Sequence, residues 1–308
     1  MAAILLEGQP LASKIKEGLK KDIDTLKSKG FVPHLAAVQV GENAASKVYI
    51  NQQKKSCEEI GIVYELKELP AATTENEMLD FIDRLNQDDA VTGVILMMPL
   101  PKNIDARRVQ VRISPDKNVE GIHPVNMGRL VYGEMGLAPC TARAAVELLK
   151  SSGVELKGKE VVVVGHSEIV GKPIALMLLA SQMESPTPTV CHIATKDLRF
   201  HTKRADVILV AVGKPGLIKA DMVKDGVIVI DIGINRVPVT DQNGKAVLNE
   251  QGKPKMKTTG DVDFEAVKEK ASFITPVPGG VGPVTTTMLL YNTVESAKLM
   301  ANKSASQS

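Results

Sequence analysis

Residues 161–173 read Val161-Val162-Val163-Val164-Gly165-His166-Ser167-Glu168-Ile169-Val170-Gly171-Lys172-Pro173. Four successive valines suit a strand buried on both faces of a parallel sheet, and the glycine that follows permits a tight turn into a helix. The chemistry available at such a turn is anion recognition, in which backbone N–H groups and the positive end of a helix meet a pyrophosphate. Gly165, His166, Ser167 and Gly171 are therefore candidate binding residues. The spacing is G-x-S-x-x-x-G rather than G-x-G-x-x-G, so taken alone it suits any strand-turn-helix of an α/β protein equally well. Two later stretches, Val210-Ala211-Val212-Gly213 and Asp231-Ile232-Gly233-Ile234-Asn235, also run from apolar strand into glycine. They add Gly213 and Ile234 as candidate cofactor residues, at strand ends whose small residues and free backbone could border a flat nicotinamide ring. Together the three edges predict a dinucleotide site. The end of the second strand of this set, Cys191-His192-Ile193-Ala194, offers neither the acid that would hold a ribose hydroxyl nor an Arg for a 2′-phosphate.

A second concentration of unusual residues is Thr275-Pro276-Val277-Pro278-Gly279-Gly280-Val281-Gly282-Pro283. Three prolines fix φ and remove donors, while three glycines allow approaches that a Cβ would block. The segment reads as a shaped wall against a ligand, with Thr285, Thr286 and Thr287 as caps of a following helix, or as a rigid linker. In the first half of the chain, Tyr49 and Gln53 lie four apart on a helix and share a face. The loop beginning Met97-Met98-Pro99 and the segment from Ser114 to Pro124 would border the same space. On residue types alone these are equally well structural turns and a half-buried tyrosine.

The elements that must position these groups follow from periodicity. Leu11, Ile15, Leu19, Ile23 and Leu26 mark a helix over 11–29, residues 34–41 a short buried strand, residues 44–60 a second helix, and 62–68, 75–86 and 93–98 a strand, a helix and a strand. A helix over 142–151 precedes the valine strand, and strands at 189–192, 207–212 and 227–232 continue the alternation. This pattern predicts an α/β protein of two α/β domains, the second a Rossmann-like doubly wound parallel sheet. Expected boundaries are 1–148 for the catalytic, substrate-binding domain, 149–283 for the dinucleotide domain, and 284–308 for a C-terminal helix that packs back on the first.

Composition narrows the classes. Among 308 residues, 38 Lys and Arg balance 36 acids, and aromatics are scarce. Neither nucleic acid nor an anionic membrane is expected as a partner. Cys57, Cys140 and Cys191 lie far apart with no C-x-x-C pair, and the five histidines, at 34, 123, 166, 192 and 201, show no ligand spacing. A reducing, cytoplasmic compartment and no bound metal are expected. The N-terminus lacks a basic region ahead of a short apolar stretch, and no run reaches membrane-spanning length.

With Pro139-Cys140-Thr141, Gly260-Asp261-Val262 and the segments above, the sequence resembles the methylenetetrahydrofolate dehydrogenase/cyclohydrolase family over residues 4–300. The resemblance implies a two-domain α/β homodimer. It also implies an enzyme that oxidises 5,10-methylenetetrahydrofolate with NAD or NADP and hydrolyses the methenyl product to 10-formyltetrahydrofolate. It places Tyr49, Gln53 and Met97 at catalytic positions and Glu120, Pro278, Gly279 and Gly280, with Tyr49, at the folate. Three polar roles depart from the family pattern: Gln53 stands where the family has Lys, Met97 where it has Gln, and Asn118 and Glu120 where it has the two Asp of Asp-Val-Asp-Gly. An amide cannot carry charge or exchange a proton near neutral pH, so Gln53 cannot replace an ammonium in cyclohydrolysis, while hydride transfer depends more on proximity and on the cofactor. The expected function is thus a folate dehydrogenase with doubtful cyclohydrolase activity. The full bifunctional enzyme and a non-catalytic folate-binding paralogue are the alternatives. His166 and Ile193 replace the Arg and Ser that NADP-using members carry, which favours NAD.

Overall fold

In a computed structural model of the chain, residues 3–41, 44–241 and 245–307 are described. The first strand, β1 (Ile4–Leu5), leads into α1 (Gly8–Ser28), whose buried Leu19, Ile23 and Leu26 form the predicted apolar stripe. Then follow β2 (His34–Val40), α2 (Ala44–Ile60), β3 (Val63–Leu69), α3 (Glu75–Gln87), β4 (Gly93–Leu96), α4 (Ala106–Arg112), α5 (Pro124–Val131) and α6 (Cys140–Ser151). The remainder comprises β5 (Glu160–Val164), α7 (Gly171–Leu178), β6 (Thr187–Cys191), α8 (Leu198–Arg204), β7 (Val207–Val210), β8 (Ile228–Asp231), β9 (Asn235–Pro238), β10 (Met256–Thr259), α9 (Phe264–Lys268), β11 (Phe273–Ile274) and α10 (Val281–Gln307).

The chain divides into two compact units. One comprises Ala12–Cys140 and Thr285–Ser308. Its parallel three-stranded sheet has the order β3-β2-β4, with Leu35 opposite both Tyr64 and Gly93. β2 is buried along almost its whole length because helices cover both faces, which is why it reads as an apolar run rather than an alternating one. On one face Leu289, Leu290, Val294, Ala297 and Ala301 of α10 join Ile50, Cys57 and Ile60 of α2 and the buried stripe of α1. The C-terminal helix thus returns to the first part of the chain. On the other face α3 and α4 supply Met78, Ile82, Leu85 and Val109.

The other unit comprises Met1–Leu11 and Thr141–Val284. Its six-stranded sheet has the order β1-β11-β8-β7-β5-β6, and every pairing is parallel. The chain steps outward from β5 to β6 and then returns to β7 on the other side of β5, so the order reverses there. Ligands of open α/β sheets occupy the crevice at the strand carboxyl ends at such a switch point.

Three details differ from the sequence expectation. Residues 1–11, expected in the first domain, belong to the second unit, because β1 pairs with β11 and the Gly8 N–H donates to the Gly279 carbonyl at 2.8 Å. The second unit begins at Thr141, inside α6, rather than at 149. Thr285, Thr286 and Thr287, expected as caps, lie inside α10, which begins four residues earlier at Val281. The antiparallel ribbon of β9 and β10 had no periodic signal, being short and largely exposed.

Candidate active site

At the switch point, glycine is demanded by contact. Gly165 has φ +114°, and a Cβ there would lie 2.3 Å from the Ala211 carbonyl oxygen, so only glycine lets β5 turn this close to the end of β7. A Cβ on Gly171 would meet the Gly165 oxygen at 1.9 Å, which fixes why the second glycine comes six residues later, at the first position of α7. Ser167 closes the turn, its Oγ accepting from the Val170 N–H at 3.2 Å and its carbonyl from the Lys172 N–H at 3.1 Å. Gly213 differs: its φ is +74° and a Cβ would meet nothing within 4 Å, so the backbone there borders open space. Ile234, just past the end of β8, is 70% exposed. His166 and His192, at the ends of β5 and β6, stack edge to face with ring centroids 4.7 Å apart.

Two buried acids hold these strand ends. Asp261 takes the Val212 and Gly213 N–H groups on Oδ2, at 2.6 and 2.9 Å, and the Asn235 side-chain amide on Oδ1 at 2.8 Å. Asp231 accepts the N–H groups of Gly233, Asp261 and Val262. Burial pushes the Asp231 carboxyl up to about 7, with the three N–H donors pulling the other way. The neighbouring glycines leave room for these carboxylates: a Cβ on Gly260 would lie 1.9 Å from Asp231 Oδ2, and one on Gly233 2.3 Å from Asp261 Cγ. Both motifs stand out in the sequence, but the roles of their acids emerge only from these contacts. In the same unit Gly279 has φ +110°, and a Cβ on Gly280 would lie 2.7 Å from the Pro276 oxygen, so the loop carrying Pro278 is folded tightly on itself. The Val277–Pro278 bond is cis.

In the unit of α1 to α5 and α10, the buried stripe of α2 is Ile50, Gln53, Cys57 and Ile60, with Gln53 only 1% exposed. Its Oε1 accepts from the Tyr64 hydroxyl at 3.3 Å, and its Nε2 is buried without a partner. Tyr49, one turn earlier, is 44% exposed. Its hydroxyl is pushed above the usual phenol range by desolvation, while a hydrogen bond with Gln53 acts in the opposite direction and the nearby Cys140 and Glu120 reinforce the rise. Burial pushes the Glu120 carboxyl up to about 7, partly offset by the Leu96 N–H. Tyr49, Gln53 and Glu120 are thus brought together, with Cys140 beside them. Met97 continues β4 beyond Leu96 and is buried in the aliphatic cluster that holds Ile50 and Cys57. Pro278, Gly279 and Gly280 belong to the other unit. Tyr64 was missed from sequence; the available signal was its place on the β3 face that packs toward α2, opposite a lone amide in an apolar stripe.

Comparison with known proteins fits both units. Residues 6–120 match the family described as tetrahydrofolate dehydrogenase/cyclohydrolase, catalytic domain, and residues 139–301 match its NAD(P)-binding domain. The chain belongs to the tetrahydrofolate dehydrogenase/cyclohydrolase family. It is 48% identical to the bifunctional protein FolD of Nautilia profundicola, over 97% of this chain and 99% of the relative, and 46% identical to that of Bacillus subtilis, over 97% and 99%. Among solved structures, the bifunctional FolD methylenetetrahydrofolate dehydrogenase/cyclohydrolase of Campylobacter jejuni superposes with TM-score 0.86 at 47% identity, covering 97% of this chain and 99% of that one. The Trypanosoma brucei enzyme, solved with NADP cofactor and an inhibitor, gives TM-score 0.84 at 35% identity over 97% and 98%. As a member of this family the chain is an enzyme with a folate-type catalytic domain and an NAD(P)-type domain. Among the described residues no helix is long and apolar enough to cross a membrane, and no three His, Cys, Asp or Glu side chains group to hold a metal.

Proposed function

We propose that the protein oxidises 5,10-methylenetetrahydrofolate to the 5,10-methenyl compound with a nicotinamide dinucleotide. The observation that carries this is the switch point of the six-stranded sheet, where Gly165 and Gly171 bring turn and helix together and Gly213 leaves its backbone open. The residues present fit a dinucleotide: the turn 165–167 and the start of α7 would hold the pyrophosphate, and Gly213 and Ile234 would border the nicotinamide. When bound, that ring supplies the hydride acceptor. Asp261 holds the Gly213 edge still by gripping two of its N–H groups. In the other unit Glu120, once ionised, accepts N–H groups of a reduced pteridine, and Tyr49 and Gln53 line its surroundings. Pro278, Gly279 and Gly280 are assigned to the folate on the family pattern alone.

The names of the relatives, bifunctional at 45–48% identity, favour a second reading in which cyclohydrolysis to 10-formyltetrahydrofolate also occurs. Gln53 argues for the weaker form of that activity, because a buried amide contacting only hydroxyls has no proton to exchange near neutral pH. His166 and Ile193 favour NAD over NADP, and family likeness favours a homodimer in the cytoplasm. Initial rates of nicotinamide reduction with 5,10-methylenetetrahydrofolate, measured with NAD and NADP in parallel, test the dehydrogenase; absence of reduction with either overturns it. Decay of the methenyl product at the spontaneous rate supports limited cyclohydrolase activity, and decay well above that rate supports the bifunctional reading. Gln53→Lys should then raise enzyme-dependent hydrolysis by roughly tenfold or more.

A further inference from the structure

Gln53 occupies the middle of an apolar stripe, between Ile50 and Cys57, where a polar side chain is costly unless its groups are met. Half of it is met. Its oxygen accepts from Tyr64 at 3.3 Å, and Tyr49 is hydrogen-bonded to the same side chain. The Tyr49 contact lowers that phenol's pKa, so it is made by the amide N–H end, which otherwise lacks a partner, and Tyr64 alone meets the oxygen. Burial, with Cys57 and Tyr49 nearby, pushes the Tyr64 hydroxyl up beyond the ordinary phenol range, so it stays a neutral donor. The arrangement is directional: the Tyr64 O–H satisfies the carbonyl end, which leaves the amide nitrogen on the Tyr49 side with an N–H to donate.

We propose that Tyr64 is a positioning residue that locks the Gln53 carboxamide with Nε2 turned to the ligand, so that the amide donates to an acceptor atom of the bound reduced pteridine or its one-carbon group. The inference rests on the folate reading of this pocket. It gives Gln53 a binding role in place of proton transfer: an amide keeps its donors at every pH in the working range, whereas the ammonium of the family pattern keeps them only while charged. Tyr64 matters because an unlocked amide can turn over, placing its oxygen where the ligand needs a donor. The ring of Tyr64 packs on the aliphatic cluster of α1, α2 and α10, so its hydroxyl is carried by a rigid body. Any conformer with Nε2 toward Tyr64 would waste the donor on a hydroxyl.

The test is a double-substitution cycle with Tyr64→Phe, which removes only the hydroxyl, and Gln53→Met, which fills the stripe with an apolar side chain of similar length. Calorimetric Kd for tetrahydrofolate and KM for 5,10-methylenetetrahydrofolate are measured in all four proteins, with KM for the dinucleotide and thermal midpoints beside them. Tyr64→Phe is expected to weaken folate binding by about fivefold, the effect of one ordinary hydrogen bond, with kcat changed less than about twofold and KM for the dinucleotide unchanged. In the Gln53→Met background the same change should have no effect on folate affinity. Equal effects in both backgrounds, or no change in Kd with Tyr64→Phe, overturn the proposal, as does a Gln53→Met protein that binds folate as well as the original. If Tyr64→Phe does not fold, Gln53→Met alone decides through Kd. Original protein that binds tetrahydrofolate but reduces no dinucleotide overturns the dehydrogenase reading while leaving the cycle readable; protein that binds no folate overturns both.

Discussion

Glu120 ties chemistry to pH at the scale of one residue. Its carboxyl is pushed up to about 7 by burial, so it is mostly protonated below neutrality and ionised above. An ionised carboxylate is the form that accepts N–H groups of a pteridine, so folate affinity should rise as pH passes upward through about 7. The expected result is a KM for 5,10-methylenetetrahydrofolate that falls between pH 6 and 8, flattening in Glu120→Gln; a flat profile in the original protein contradicts the assignment. The same shift acts on folding with the opposite demand. A carboxyl whose folded pKa is raised favours the folded state at low pH, and that contribution fades as pH rises through about 7. At this scale the sequence was informative about identity and poor about environment. Tyr49, Gln53 and Glu120 could be named from the family pattern, but burial of Gln53 in the stripe and the Tyr64 hydroxyl on its oxygen depend on strand β3 lying against α2, which no local signal encodes.

The elements were more legible, because valine runs and helical stripes are driven by burial of a continuous face. The limits of α2 follow from the sequence alone, and those of α3 to within one residue at its end. The G-x-S-x-x-x-G turn looked weak as a fingerprint. Its second glycine is required by a backbone oxygen 1.9 Å from where a Cβ would sit, a contact that depends on how α7 seats against β5. Gly171→Ala should therefore displace the start of α7 and raise KM for the dinucleotide by about tenfold, a loss of about 1.4 kcal/mol, with tetrahydrofolate Kd unchanged. Equal cofactor KM in the two proteins would show that the turn plays no part in binding. The strands that escaped reading, β1, β9, β10 and β11, are two to four residues long, too short to carry a period.

For the molecule as a whole, the chain ends decide the architecture. The first residues complete the six-stranded sheet through β1, and the last helix completes the core of the other unit. Return of α10 was legible from its apolar run, whereas recruitment of β1 was not, since two exposed residues gain their place only from the edge of β11. Asn292 on α10 links distant parts of its unit: its buried Nδ2 donates to the Val119 and Ala138 carbonyls at 2.8 and 2.9 Å, the first of them next to Glu120. Asn292→Ala should lower stability by about 2–3 kcal/mol, since two buried carbonyls lose a donor, and should also weaken folate binding. Denaturant unfolding and calorimetry check the two parts, and unchanged stability would remove α10 from the support of the site.

The central claim is that a hydride leaves the folate one-carbon bridge for a dinucleotide held at the switch point. The direct measurement uses 5,10-methylenetetrahydrofolate carrying deuterium on the bridging methylene, with purified protein and NAD or NADP. The account predicts that deuterium appears on the reduced nicotinamide ring in step with one methenyl product formed per dinucleotide reduced. Reduced nicotinamide without the label, or no reduction with either dinucleotide, would contradict it.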